Sequence, residues 1–592
     1  MIKEEIREAI QKALAELEIS FENASIDYPA DPEHGDYATN VALMVAKKVG
    51  KNPKALAEEI IQKMRNSALF DKLDIAGPGF INMWIKNEEF VKVTDSLRNS
   101  KDQFDSLNKS NKGKIMVEFA HPNTHKAFHI GHLRNITTGE SIVRLLEAVG
   151  AKVIRVNYQG DVGMHIAKAI HGLTMLIGEG EIDLKGLKIK DSSNDKDRVL
   201  EIVRALEVWD IRKRMALIGK AYSHGSKLFE ENKISNAEIR QINIAIYSGD
   251  WGIYKPYEEV YQITRKWSLE YFDHIYKRVY THFDRLYFES EVYEAGRENV
   301  LEGLKKGIFQ KSDGAIIFPG SQYGLHDRVF ISSEGNPTYE GKDMGLAPLQ
   351  HKEYHPDQII HVLGPEQFGY TRVIFRALDL LFPDDAGKQL HLVYGWVKLK
   401  HGKMSSRTGN VILGEWLLDE AKKKIVESYE TFDEIAEQIA VGAVKYSFLK
   451  VGLSQEIAFD LEESISLQGN SGPYLQYTYA RTQSVLEKAK SRNYASKKIQ
   501  GELVLQPEER DVLKQLVRFP EIVSEAAQRY APHIVCTYLF DLAQAFNLFY
   551  QKLPILKAEV KERDIRLHIT ESTGIVLKRG LDLLGIRAPE KM

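Results

Sequence analysis

The residues best suited to chemistry in this sequence are imidazoles and cations gathered in two loops. The first reads Ala120-His121-Pro122-Asn123-Thr124-His125-Lys126-Ala127-Phe128-His129-Ile130-Gly131-His132. His129 and His132 can both donate hydrogen bonds to phosphate oxygens, and Gly131 between them lets a nucleotide approach the backbone closely. On paper this is an anion site. A rival reading takes His121, His125, His129 and His132, spaced four, four and three residues apart, as metal ligands on one helical face. Pro122 and Gly131 argue against a continuous helix there, and no HExxH pattern completes a zinc enzyme. A plainer reading leaves the histidines lining a loop. The second loop, Lys398-Leu399-Lys400-His401-Gly402-Lys403-Met404-Ser405-Ser406-Arg407-Thr408-Gly409-Asn410, sets cations among glycines. That suits pyrophosphate leaving a nucleotide, although a basic loop taken singly is usually just a solvated loop. A third cluster, Arg481, Lys488, Lys490, Arg492, Lys497 and Lys498 against the single acid Glu487, offers charge to a polyanion or is simply a solvated face.

These residues need a frame, and hydrophobic periodicity outlines one. Apolar residues from 114 to 119 predict a strand, those from about 132 to 149 a helix whose buried stripe is Ile142, Leu145, Leu146 and Val149, and those from 152 to 157 a second strand. That strand-helix-strand unit belongs to a parallel sheet, with the histidine loop at the carboxyl end of its first strand, where doubly wound folds bind ligands and helix N-termini hold phosphate. Apolar runs at 359–363 and 390–394, separated by a helical stretch near 367–381, resume the sheet. Residues from about 165 to 330 read as helical and as an insertion between the two half-sheets. Before 98 lie helical patterns and a turn, Gly77-Pro78-Gly79, feeding a short strand; 99–113 reads as a polar linker. Beyond about 430 strands are predicted to vanish and helices to follow one another, as over 508–530. The predicted fold is thus α/β and multidomain: 1–108, a small α+β domain; 112–425, a Rossmann-type parallel-sheet domain with helical insertions; 430–592, an all-α bundle.

Composition fits that size. The chain has 592 residues, enough for three or more domains. Its 43% hydrophobic residues and 42 glycines bring the apolar share to about half, which excludes disorder and fibre. Lys plus Arg number 80 and Asp plus Glu 83, net −3, so the bulk charge does not itself demand a nucleic acid. No apolar run is long enough to span a membrane, and the opening MIKEEIREAI places acids where a secretory signal carries cations, so a cytoplasmic location and no membrane partner are expected. One cysteine, Cys536, excludes internal disulfides and multi-cysteine metal sites, and no protein-bound metal is expected.

The two loops together carry a resemblance. His129-Ile130-Gly131-His132 with Lys403-Met404-Ser405-Ser406-Arg407 is similar to the HIGH and KMSKS signatures of class I aminoacyl-tRNA synthetases, and the surroundings resemble arginyl-tRNA synthetases in particular. The matching segments are Val117-Glu118-Phe119, Pro122-Asn123, Lys126, Asn157-Tyr158-Gln159-Gly160-Asp161-Val162-Gly163, Tyr339 with Asp343, Gly364 with Glu366-Gln367, and Ser471-Gly472-Pro473-Tyr474-Leu475-Gln476-Tyr477 with Ala480-Arg481. The endings Leu581-Asp582-Leu583-Leu584-Gly585-Ile586 and Pro589-Glu590-Lys591-Met592 match as well.

The resemblance implies activation of L-arginine by ATP with Mg2+ to arginyl-adenylate, then transfer to the 3′ end of tRNA(Arg), by a monomer. It implies that His129, His132, Lys126 and Lys403 are catalytic, and that Gly131, Ser405, Ser406 and Gly364 join Lys403 in holding ATP. Glu118 and Asp343 would meet the guanidinium with Tyr339 beside them, and Asn123 and Gln367 the α-ammonium. A planar, permanently charged fork calls for carboxylates that pair with it bidentately. Phe80 and Asn82 would contact the tRNA D-loop, and Tyr474, Tyr477 and Arg481 the anticodon. Ser406 stands where the signature carries its second lysine, and the resemblance implies that Lys126 compensates. The rivals are another class I synthetase, a catalytically weak tRNA-binding paralogue, and a histidine-ligated metallohydrolase.

Overall fold

The computed structural model describes residues 2–21, 24–29, 31–99, 113–192, 194–400, 412–494, 499 and 503–592. Lys403, Ser405 and Ser406, Lys497 and Lys498, and most of the polar linker lie outside the described residues. The N-terminal unit begins with α1 (Ile2–Glu16), which buries Ile2, Ile6, Ile10, Ala13 and Leu14 in one stripe. There follow β1 (Tyr37–Thr39), α2 (Val41–Val49), α3 (Pro53–Met64), β2 (Phe70–Ala76), β3 (Phe80–Ile85) and α4 (Asn87–Asn99). Asn52 caps α3 by accepting from the Lys54 and Ala55 amides, with Pro53 opening the first turn. The strands pair antiparallel in the order β1-β3-β2. The sequence reading had a turn feeding a single strand here. The structure adds β2 before the turn, making a hairpin whose turn is permitted by Gly77 (φ 54°) and Gly79 (φ 140°).

The central sheet is parallel. β4 (Lys114–Glu118), α5 (Ile130–Ala148) and β5 (Lys152–Gln159) form the predicted unit. Helices α6 (Met164–Gly178), α7 (Asp195–Ala205), α8 (Ile211–Glu231), α9 (Lys233–Ser248) and α10 (Lys255–Arg278) then lead to β6 (Arg285–Phe288). After α11 (Glu289–Lys305) come β7 (Gln310–Ser312), β8 (Ala315–Phe318), β9 (Arg328–Ile331) and α12 (Tyr339–Tyr354), and the sheet resumes with β10 (Gln358–Leu363), α13 (Phe368–Leu381) and β11 (Gln389–Val393). The strand order is β11-β10-β4-β5-β6. Ile115, Met116 and Val117 of β4 are all buried, as a strand covered on both faces requires. The expected single helical insertion over 165–330 is corrected here. β6 returns to the main sheet and divides it, and β7, β8 and β9 form a separate antiparallel sheet beyond that division.

After β12 (Val397–Leu399) come α14 (Gly414–Ser428), α15 (Asp433–Leu449), β13 (Ile457–Phe459), α16 (Leu461–Ile465), α17 (Gly472–Ser491), α18 (Pro507–Gln528), α19 (Pro532–Lys552) and α20 (Val560–Leu583). The expectation that strands end by 430 fails at β13, which pairs in parallel with β12; three residues are too few to leave a period in the sequence. The last turn of α20 and the residue two past it are clamped to α5 and α15. Ser141 of α5 donates to the Leu583 carbonyl at 3.0 Å, and Arg144 donates to the Asp582 carbonyl at 3.0 Å and its carboxylate at 2.7 Å. Buried Lys445 donates to the carbonyls of Val279 at 2.8 Å and Gly585 at 2.6 Å, and burial pulls its pKa down to about 7. No described helix is long and apolar enough to cross a membrane.

Candidate active site

The loop after β4 lies over the carboxyl ends of β4, β5 and β10. Asn135 of α5 ties it down, accepting from the Ala120 amide at 2.6 Å and donating to the Val362 carbonyl at 2.8 Å. Asn157 accepts from the His121 amide at 3.1 Å, and the Asn123 carboxamide oxygen accepts from the Gly160 amide at 3.0 Å. These bonds hold Ala120, His121 and His125 at positive φ, a conformation that non-glycine residues keep only when their surroundings impose it.

His129 caps α5. Its Nδ1 accepts from the amides of Gly131 at 3.1 Å and His132 at 3.4 Å, while its own amide donates to His132 Nδ1 at 3.2 Å. The two rings stack with centroids 3.7 Å apart and planes inclined 19°. Because each Nδ1 accepts a backbone N–H, the proton of each neutral ring belongs on Nε2, where it can be donated to a ligand. Burial, then the positive charge of Lys126, lowers the His129 pKa to about 4; burial and His129 itself hold His132 well below its ordinary value. Both are therefore neutral donors at pH 7. Gly131, expected to interrupt a helix, sits in the first turn of α5, and a Cβ there would lie 2.9 Å from the His129 ring. The glycine makes room for the folded-back imidazole.

The four histidines do not share a face. His125 is buried with its ring nitrogens on the Thr124 hydroxyl at 3.1 Å and the Thr264 hydroxyl at 2.7 Å, and His121 turns into a different cavity from His129 and His132. Among the described residues no group of three or more His, Cys, Asp or Glu could hold a metal.

Glu118, Asn123, Tyr339, Asp343 and Gln367, drawn from β4, its loop, α12 and the turn before α13, line one cavity of about 150 Å³. Glu118 accepts from Gln350 Nε2 at 2.6 Å and from His361 Nδ1 at 3.1 Å. Burial opposes charge on both partners. The Glu118 carboxylate nevertheless lifts His361 above its usual pKa, and His361 in return holds Glu118 below the ordinary carboxylate range. Glu289 is paired with Lys342 at 2.7 Å in the same interior. Asp343 has neither an ion pair nor a hydrogen bond among the described residues, and desolvation followed by repulsion from Glu118 pushes its pKa well up. Among the described residues Tyr158 Oη, Gln350 Oε1 and His121 Nε2 are likewise buried without hydrogen-bond partners. Such a cavity suits a ligand with one positive charge and several N–H donors.

A second cavity, of about 490 Å³, opens on the far side of Asn123, which lines both; Lys126, His129, His132, Phe128, Tyr222 and Trp416 are among its walls. The Lys126 ammonium lies 5.5 Å from the Tyr222 ring centre. The Gly364 amide donates to Gln367 Oε1 at 3.3 Å, and a Cβ at Gly364 would meet the Glu366 carboxylate at 2.6 Å. Sequence reading missed Glu289, Lys342, His361 and Gln350. The signals for them were slight: Glu289 directly follows a short strand, and Lys342 lies between Tyr339 and Asp343 on one helix.

The more distant candidates separate. Phe80 is exposed, and Asn82, beside it in β3, is 5% exposed. On α17, the Arg481 guanidinium lies 4.9 Å from the Tyr477 ring and 5.0 Å from that of Tyr550 and donates to Asn547, which itself donates to the Tyr474 hydroxyl at 2.9 Å. Tyr477, Arg481 and Tyr550 line a cleft of about 730 Å³ with Lys591 and Met592.

A histidine-capped helix at the carboxyl edge of a parallel sheet fits what sequence comparison finds. The model of the class I (R) tRNA synthetase catalytic domain matches residues 92–186 and 209–461. That of the arginyl-tRNA synthetase N-terminal domain matches 1–85, and that of the DALR anticodon-binding domain 475–592. An arginine–tRNA ligase of Treponema denticola is 34% identical over 96% of this chain and 95% of its own. Another, of Amoebophilus asiaticus, is 31% identical over 99% of each. The solved arginyl-tRNA synthetase of Thermus thermophilus matches the fold with a TM-score of 0.77 over 100% of both chains, at 24% identity. The chain belongs to the arginyl-tRNA synthetase family, class I aminoacyl-tRNA ligases that use ATP.

Proposed function

We propose that the two cavities meeting at Asn123 hold arginine and ATP respectively, so that the arginine carboxylate attacks the α-phosphorus across that shared wall. The observation that carries this is the unpaired Asp343 in an otherwise internally neutralised pocket. Asp343 and Glu118 take the guanidinium, with Tyr339 alongside; Asn123 and Gln367 use their remaining oxygen lone pairs for the α-ammonium. His129 and His132 donate from Nε2 to the phosphates, Gly131 and Gly364 leave room for the nucleotide, and Lys126 with Lys403 neutralises the departing pyrophosphate beside Ser405 and Ser406. Attack forms the carboxyl–phosphate bond as the α–β bridge breaks; the 2′-hydroxyl of the terminal tRNA adenosine then takes the arginyl group and AMP leaves. Catalysis is thus positioning plus stabilisation of phosphate charge. Mg2+ arrives bound to ATP. Phe80 meets the tRNA D-loop, and Tyr474, Tyr477 and Arg481 the anticodon, where aromatics beside a cation suit unstacked bases. On this reading residues 1–108, 112–425 and 430–592 are the three functional units of a cytoplasmic monomer.

The test is ATP–pyrophosphate exchange with each amino acid, with and without tRNA(Arg). Exchange with arginine alone among them, in the presence of tRNA(Arg), is expected; equal exchange with lysine, or none with arginine and tRNA together, overturns the reading.

A further inference from the structure

Away from the catalytic cavities, α4, α15, α20 and the segment after α20 enclose a cleft of about 620 Å³ lined by Arg98, Lys578, Arg579 and Arg587. Arg98 is committed to Asp95 at 3.2 Å and to Glu571. Lys578 and Arg587 are exposed at the rim, where the Arg587 guanidinium lies 4.2 Å over the Tyr280 ring. The acid in the lining, Asp582, is taken by Arg144 at 2.7 Å. Arg579 differs from all of these. It is 5% exposed, and among the described residues its Nε and Nη1 have no hydrogen-bond partner and no carboxylate pairs with it. Burial alone brings its pKa down to about 10, so it remains charged at neutral pH.

A buried, charged guanidinium without an acceptor is among the costliest arrangements a fold can keep. Here it faces a cleft with two further cations at the mouth. A group with three or four acceptor oxygens satisfies that geometry better than a carboxylate does, because the fork can bond two oxygens from below while the rim cations reach the others. We propose that this cleft binds a phosphate group, anchored by Arg579 and closed by Lys578 and Arg587. The phosphate is a backbone diester of the tRNA or a small free phosphate; the site is separate from the arginine pocket and does not depend on it.

The full-length protein is melted in inorganic phosphate, up to about 20 mM, against chloride at equal ionic strength, and its tRNA(Arg) affinity is measured across salt concentration. Phosphate is expected to raise the wild-type Tm by a few degrees. Arg579→Met should abolish that rise, leave arginine-dependent pyrophosphate exchange at saturating tRNA(Arg) unchanged, and not lower the Tm in chloride, since it removes an uncompensated charge. Arg579→Lys should keep part of the response. If the salt slope of tRNA binding also falls by about one in Arg579→Met, the phosphate is an RNA diester; if the slope is unchanged while the phosphate response is lost, it is a small free phosphate. A phosphate response that persists in Arg579→Met, the lack of any wild-type response together with an unchanged slope, or a marked fall in the variant's Tm in chloride would each overturn the proposal.

Discussion

The two cavities that meet at Asn123 solve opposite electrostatic problems by opposite means. The smaller one gathers three acids and neutralises two from within, Glu118 through His361 and Gln350 and Glu289 through Lys342, so that among the described residues one carboxylate, Asp343, is left without a partner, and on the proposed reading it is the one that chooses the ligand. The larger one, proposed to take the polyanion, is lined by imidazoles held neutral by burial, with Lys126 in its wall and Arg212 paired there with Glu415 and Asp419. A site that must select one cation among similar ones is built from a charge whose absence of partner is costly. A site that must hold a phosphate and let it go is built from aimed, uncharged donors.

The sharpest way to break this contrast is Asp343→Asn. It should raise the arginine KM about a thousandfold, the cost of an unsatisfied charged donor being several kcal/mol, and leave the ATP KM nearly untouched; parallel changes in both would erase the division. Lys126→Ala should do the reverse, depressing adenylate formation about a hundredfold with little change in arginine KM, and more than Ser406→Ala does in the same exchange assay. The neutrality of the imidazoles gives a pH signature. The folded pKa values of His125, about 3, and His129, about 4, lie below the ordinary histidine value of about 6.5, so on acidification the unfolded chain takes up protons first. Their contribution is intact above pH 6.5 and lost as pH falls toward 4, by up to about 1.4 kcal/mol per pH unit for each histidine. Denaturant unfolding of His129→Asn between pH 6.5 and 5 should show a slope shallower by about that amount. The smallest effect is expected far from both cavities. Arg481→Ala should raise the tRNA KM about fivefold to tenfold, the scale of one lost stacking contact, without altering the KM for arginine or ATP.

Where local pattern and tertiary role coincided, the sequence was readable. β4, α5 and β5 announced themselves through apolar runs long enough to show a period, and the histidines read from the loop do stand at the start of α5. β6 was lost because Arg285–Phe288 is four residues embedded among helices, and β13 for the same reason. The partners of Glu118 escaped because His361 and Gln350 arrive singly from β10 and α12 with no motif around them. What a residue touches across the sheet is a property of topology, and the pairing that leaves Asp343 unpaired could not be deduced before β4, β10 and α12 were assembled.

α5 spans about 28 Å over its nineteen residues. One end is the His129 cap; Ser141 and Arg144, toward the other, are seated on residues 582 and 583. During synthesis the histidines emerge early, but the surface that steadies their helix is made only after several hundred further residues have left the ribosome. A half-made chain therefore carries the histidine-capped helix without the surface that seats its far end.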